Sequence, residues 1–311
     1  MESRKHRGGK LFRDIRKNPF SYLLILPAMV YVFLFGYCTL PYVIIAFQKF
    51  NYKTGIFHSE FVGLKNFEFF FKSPKFLEVT FNTVLLNILF IGFVIFFALV
   101  FSLMLNEARG KLFSKVTQST FLLPHFMSWV VVSYIVYALF ASDYGIVNNA
   151  LKSMGLDAVS WYSTPGPWRA ILVFIKVWKD TGMQMVIYLA AITGIDPSLS
   201  EAARVDGASR LQTIRHVILP LMAPTVSILA LLSIGKIFYG DFGMIYGIIG
   251  DNGVLYPTTD VIDTYVFRAM RKTGDPSQAM AVGLYQSVLG FLFVFGSNWI
   301  ASKKTDGGAL F

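Results

Sequence analysis

Cysteine is nearly absent: Cys38 is alone among 311 residues. A single thiol inside an apolar run excludes an internal disulfide and any cysteine-based metal centre. The four histidines, His6, His58, His125 and His216, are scattered without metal-ligand spacing, and no Ser/His/Asp arrangement can be built from them. Charge is scarce as well. Charged residues make up 15% of the chain, against about 25% in ordinary soluble domains, and hydrophobic residues make up 55%, so a bilayer is its natural solvent. A phosphate cradle is missing too. No Gly-x-x-x-x-Gly-Lys-Ser/Thr run occurs, so any ATP site belongs to another polypeptide. There is no internal repeat, low-complexity tract or soluble domain.

What the chain does have is long apolar stretches. Crossing the hydrocarbon layer takes about 20 mostly apolar residues in a helix, because every backbone group must be satisfied internally. Residues 20–47, 79–105, 116–142 and 279–301 qualify without one charged side chain. Residues 168–195 and 217–249 are as long but carry Arg169, Lys176, Lys179 and Asp180, and Lys236 and Asp241. The expectation is an all-α polytopic membrane protein with six transmembrane helices in a domain over 20–301. A basic cytoplasmic segment, 1–19, precedes it and a short tail, 302–311, follows.

The 28 Lys plus Arg exceed the 18 Asp plus Glu, which raises nucleic acid as a partner. The basic residues cluster between apolar stretches, however, which is the positive-inside pattern, so no nucleic acid is expected. On one side the flanks hold 7, 3, 3 and 2 basic residues, which sum to 15; on the other they hold 5, 1 and 3, which sum to 9. Both termini are therefore expected in the cytoplasm. The first apolar run is too long for a cleavable signal peptide and lacks a small-residue cleavage site.

The connector 196–216 is unusually structured. Ser198 followed by Glu201 reads as a capping box that opens a short helix, which Gly207 then ends in a left-handed conformation. Ser209 with Gln212 offers a second capping box directly afterwards. Ala202, Ala203 and Ala208 keep the surface shallow enough for close approach of a partner, while Arg204, Asp206 and Arg210 supply a polar rim.

Glu201-Ala202-Ala203, then Gly207, then Leu219-Pro220 resemble the EAA motif of the permease subunits of type I ABC importers. Val217 takes the hydrophobic position where the family more usually has Ile, and Asp206-Gly207-Ala208 matches a common family variant. The resemblance implies a MetI-like permease fold and an ATPase-coupling loop, with Ser198, Glu201, Ala202, Ala203, Asp206, Gly207, Ala208 and Arg210 at the docking surface. It also implies partners: a second permease subunit, two ATP-binding-cassette ATPase subunits that bind ATP and Mg, and an extracytoplasmic solute-binding protein in a bacterial cell membrane. No cofactor is expected on this chain, and no catalysis.

Leu26-Pro27, the run Phe61-Val62-Gly63-Leu64-Lys65-Asn66-Phe67, Asn82-Thr83, Leu122-Leu123-Pro124, Tyr188-Leu189-Ala190-Ala191 and Asp263-Thr264-Tyr265-Val266 are similar to carbohydrate-uptake permeases, in particular those for oligosaccharides or polysaccharide fragments. The alternative is a permease for a non-sugar solute such as an amino acid or phosphate. An intramembrane transferase would need acidic or His residues clustered near one interface, and none is seen.

Ionisable groups within spans face a cavity or a partner by default. Lys176, Lys179, Asp180 and Gln184 share one helical arc of about 140°. Two readings stay open: the arc lines the solute pathway, or Lys176 and Asp180, at i and i+4, neutralise one another. Glycines at 235, 240, 243, 247 and 250, around Tyr239, Asp241 and Tyr246, weaken the fifth stretch and permit a break or a close helix crossing. Trp178, Tyr239 and Tyr246 can pack on sugar rings, while Asp180, Gln184 and Asp241 can hydrogen-bond hydroxyls.

Overall fold

The computed structural model describes residues 14, 16–108 and 110–304. Residues 1–13 and 15 of the basic leader, with His6, and 305–311 of the tail lie outside the described residues. Helices dominate; among the described residues the strands are two short ones, Gln48–Lys49 and Glu60–Phe61, paired antiparallel with Gln48 opposite Phe61.

The chain opens with α1 (Pro19–Val32), which runs through a widened turn at Phe33–Tyr37 and a tight turn at Leu40–Phe47. None of its α-helical residues is buried, so its apolar surface is free for lipid or another chain. Asn66, in α2 (Lys65–Phe71), donates to the carbonyls of Ala46 at 2.9 Å and Gln48 at 2.8 Å and so ties α2 to the end of the first span. The centre is built by α3 (Phe76–Glu107) and α7 (Trp168–Thr193), packed side by side along much of their lengths. Between them in sequence come α4 (Lys111–Leu122), α5 (Trp129–Phe140) and α6 (Ile146–Ser153). After α7 come the short helices α8 (Pro197–Val205) and α9 (Arg210–Thr213), then α10 (Leu219–Ile234), α11 (Phe242–Ile249), α12 (Tyr256–Thr259), α13 (Ile262–Thr273) and α14 (Pro276–Lys304).

Among the described residues, four helices are long and apolar enough to cross a membrane: Pro19–Phe47, Phe76–Glu107, Arg210–Ile234 and Pro276–Trp299. Two expected stretches differ from unbroken spans. Residues 116–142 bend by 98° between Leu112–Phe126 and Trp129–Phe140. The cause is local: buried Pro124 lacks an N–H, residues Leu123–Phe126 tighten into a 3₁₀ turn, and Ser128 restarts the helix by accepting from Val131 N. Residues 217–249 also do not form one helix, because α10 stops at Ile234 and α11 begins after Asp241. Residues 168–195 form one 26-residue helix, α7, whose four charges set it apart from the apolar four.

Close backbone contact fixes α7 against α4. A Cβ on Gly182 would lie 1.9 Å from the Phe121 carbonyl oxygen, whereas one on Gly92 of α3 would meet nothing within 4 Å. Gly182→Leu is therefore expected to destabilise the domain by about 1–3 kcal/mol or more through overpacking, and Gly92→Leu to be neutral. Thermal melting followed by size-exclusion chromatography separates the two; equal melting would refute the contact.

Candidate functional site

The elbow formed by α8 and α9 follows directly from α7. Asp196, not Ser198, caps α8: its Oδ1 accepts from Ser198 N at 2.9 Å, and Pro197 occupies the first turn. This corrects the expected Ser198/Glu201 box. Proline's fixed φ suits the first helical position, and the aspartate before it takes the cap. The Ser198 amide holds the Asp196 carboxyl below the usual carboxylate range. Because that pKa is depressed on folding, the cap's contribution is complete above the ordinary carboxylate pKa and is lost only as pH falls through the lowered value.

Asp206 closes α8, and Gly207 follows at φ +82°, the left-handed turn that reverses the chain. Ser209 and Gln212 form the second box, with Gln212 Oε1 accepting from Ser209 N at 2.7 Å and Ser209 Oγ from Gln212 N at 3.4 Å. Glu201 and Arg210 line one cavity of about 280 Å³ against the ends of α3 and α7. Ala203, Asp206, Gly207 and Ala208 border a second, more open recess of about 360 Å³. Ser198 and Ala202 are exposed. Val205 and Leu211, which the sequence reading passed over, are 87% and 74% exposed. Apolar side chains held out on a polar elbow were the available signal.

Beyond Thr213 the helix does not end. A widened turn, Ile214–Ile218, leads into α10, and Arg210–Ile234 runs as one rod of 25 residues, roughly 37 Å at the helical rise. The widened turn sits just before Pro220, whose missing N–H cannot complete the regular ladder.

At its far end the rod meets the broken segment 235–241. Irregular backbone at membrane depth is tolerated where side chains satisfy it. Here Asn87 Nδ2 donates to the Tyr239 carbonyl at 2.9 Å, Gln286 Nε2 to the Phe238 carbonyl at 2.7 Å, and Gly240 N to Asp263 Oδ2. Asp241 then takes φ +47°, the single non-glycine residue with positive φ among those described. Its carboxylate meets Lys176 Nζ at 2.7 Å, and the same ammonium reaches Asp180 Oδ2 at 2.7 Å. Lys176 thus clamps α7 to the start of α11 between two carboxylates. Lys179, 6% exposed, donates to the His125 carbonyl at 2.7 Å, and both ammonium groups face the Trp129 ring, at 5.5 Å for Lys176 and 5.0 Å for Lys179. His125 Nδ1 stands 3.5 Å from Asp180 Oδ1 without hydrogen-bond geometry, so it borders the cluster and does not anchor it. Gly243 and Gly247 let α11 lie against Trp129.

The proposed arc is therefore split. Lys176, Asp180 and Asp241 form one cluster, and the neutralising reading of Lys176 and Asp180 is met but widened by a third member. Lys179 turns to backbone, and the Gln184 Oε1 is buried without a partner. Tyr239 shares a 2.9 Å hydrogen bond with Ser287. Tyr246 accepts from Arg271 at 2.9 Å, and Trp178 faces an apolar groove. His125 and Trp129, missed as partners of the cluster, lie at the Pro124 bend, and neither carries a sequence signal beyond that proline.

Comparison with known proteins follows the same outline. Residues 94–306 match the family described as binding-protein-dependent transport system inner membrane component. Protein LplB of Bacillus subtilis is 33% identical over 297 residues, covering 96% of this chain and 92% of that protein. The polygalacturonan/rhamnogalacturonan transport system permease protein YteP of the same organism is 33% identical over 98% of this chain and 94% of its own length. A chain from the crystal structure of a bacterial ABC transporter involved in import of the acidic polysaccharide alginate superposes with a TM-score of 0.86 at 31% identity, over 96% of this chain and 100% of that one. With a rod-and-elbow architecture and, among the described residues, four to five helices fit to cross a bilayer, the chain belongs to the inner membrane components of binding-protein-dependent transport systems, the permease subunits of ABC importers.

Proposed function

We propose that this permease forms half of a carbohydrate pathway and converts movement of a separate ATPase into opening of that pathway. One observation carries the mechanism: the rod Arg210–Ile234 joins the exposed elbow to the broken segment that presents Asp241 to Lys176. A rigid helix transmits displacement along its length, whereas the irregular 235–241 segment absorbs it. Closure of two ATP-binding-cassette subunits, which hold ATP and Mg, pulls on the elbow at Glu201, Ala202, Ala203 and Gly207. The rod tilts, the Lys176 clamp to Asp241 loosens while its intrahelical pair with Asp180 persists, and the pathway turns outward. The extracytoplasmic binding protein delivers solute to that opened state. The exposed α1 seats against a second, homologous permease subunit, and both termini lie in the cytoplasm.

The carbohydrate assignment rests on relatives. YteP is named for polygalacturonan/rhamnogalacturonan transport, and one solved neighbour, with a TM-score of 0.84 at 31% identity, is an alginate transporter in complex with a periplasmic protein bound to an alginate pentasaccharide. Proteoliposomes holding the whole importer and its binding protein are expected to accumulate an oligosaccharide from a panel of uronate-containing and neutral fragments. Uptake of amino acids or phosphate with no carbohydrate uptake would overturn the assignment.

A further inference from the structure

Arg169 is a cation without a carboxylate. It stands in the first turn of α7, at the end of the bundle opposite the elbow, and among the described residues no ion pair reaches it. Its Nη2 donates to Asn82 Oδ1 at 2.8 Å, its Nε is buried without a partner, and the Phe81 ring lies 6.0 Å away. The place of Arg169 at the start of a 26-residue helix sets its depth, because a basic side chain at a helix end reaches the headgroup level. Trp168 Nε1 donates to the Trp161 carbonyl at 2.7 Å, and Trp161 Nε1 to Asn148 Oδ1 at 2.9 Å, so indole contacts tie the start of α7, with Trp168 buried, to the loop before it.

From Arg169 an apolar groove of about 780 Å³ descends between α3, α4 and α7. Phe93, Phe97 and Phe101 form one wall and Val173 and Val177 another, with Phe121 packed on Phe101 at 4.9 Å. The α7 wall from Arg169 to Thr181 is about 18 Å long by helical rise. One leaflet of hydrocarbon is about 15 Å deep, half of the usual core thickness. A groove with an uncompensated guanidinium at headgroup level and aromatic walls of acyl-chain length has the charge and the dimensions of a lipid site.

We propose that this groove binds an anionic phospholipid from the leaflet opposite the elbow, with Arg169 on the phosphate and one acyl chain along Phe93, Phe97 and Val177. The lipid supplies the negative charge that the protein withholds from Arg169, and it fills a face of α7 that adjoins the Lys176 clamp. A guanidinium at the end of a helix reaches the headgroup layer, where a lipid phosphate is the available counter-ion. This proposal goes beyond the transport reading and stands whatever the solute.

The test uses the assembled importer, delipidated and titrated with phosphatidylglycerol or phosphatidylcholine of identical acyl chains, with bound lipid read by native mass spectrometry. Wild type is expected to retain phosphatidylglycerol about five-fold better, the electrostatic preference of one basic residue. Arg169→Gln should abolish that preference. Ala170→Trp, which keeps the cation and obstructs the groove, should reduce retention of both lipids and guards against misfolding of the first variant. Equal retention of the two lipids by wild type, an undiminished preference in Arg169→Gln, or a helix of the partner subunit found in the groove would overturn the proposal.

Discussion

Gly207→Val is expected to abolish solute-stimulated ATP hydrolysis and uptake while the chain still inserts and assembles. Gly207 is held at φ +82°, and no atom lies within 4 Å of where its Cβ would point. The effect is thus one of backbone strain and not of crowding. A left-handed conformation costs an ordinary L-residue about 1–2 kcal/mol, and a β-branched one more, so the elbow would relax out of its turn and shift the relation of α8 to α9. A shift of that size changes the population of the correct elbow by roughly 5- to 30-fold. Gly207→Asn, which tolerates the conformation, should keep most of the activity. Full uptake in Gly207→Val proteoliposomes would remove the elbow from the coupling path.

Lys176→Met has the second large expected effect. The ammonium lies within 2.7 Å of both Asp180 and Asp241, each with 24% of its side chain exposed. Removing the shared cation leaves two carboxylates close together, and because about a quarter of each stays exposed the cost lies between the ~1 kcal/mol of a surface pair and the ~3–5 kcal/mol of a fully buried one. Folded, monodisperse protein should fall sharply on fluorescence-detected size exclusion. Adding Asp180→Asn and Asp241→Asn removes the uncompensated charge and should restore assembly, but with solute-independent ATP hydrolysis raised, because the clamp between α7 and α11 is gone. Wild-type assembly and coupling in Lys176→Met would show that the cluster holds nothing.

Much of this was legible in sequence because membrane helices and caps are local. The charge-free stretches at 79–105 and 279–301 fall within α3 and α14, and the Ser209/Gln212 box and the Gly207 turn are set by residues within a few positions of each other. The glycine density after Gly235 signalled a break, yet not its place. Asp241 is where the break sits because Asn87, Gln286 and Asp263, from other parts of the chain, satisfy the freed backbone. The Pro124 bend escaped hydropathy for a related reason: residues 116–142 are apolar on both sides of it, so the average conceals a change of direction. The candidate pathway residues were hardest to place. Helical spacing groups Lys176, Lys179, Asp180 and Gln184 on one arc, but it cannot show that Asp241 approaches from α11 or that the His125 carbonyl takes Lys179. Those are long-range choices of partner.

The segments similar to carbohydrate-uptake permeases have specific contacts in the fold. Asn82 joins Arg169 to the Pro257 carbonyl, and Thr83 Oγ1 accepts from Ile262 N at 2.9 Å, so the pair fastens α3 to the entry of α13. Asp263 caps the open amide of Gly240 and also accepts from Gln286 at 3.1 Å. Contacts of this kind fix the irregular segment 235–241 against α3, α13 and α14.

An ATPase that grips the elbow can be captured there by site-directed cross-linking. In a Cys38→Ser background, Val205→Cys places a single thiol at the most protruding point of α8. Once that thiol carries a maleimide-linked benzophenone, illumination of native membranes is expected to give a covalent adduct with a nucleotide-binding polypeptide, in a yield that changes when ATP is added. A thiol at 205 that forms no adduct, and that reacts with a water-soluble maleimide equally well in the assembled importer and in the isolated permease, would contradict that grip.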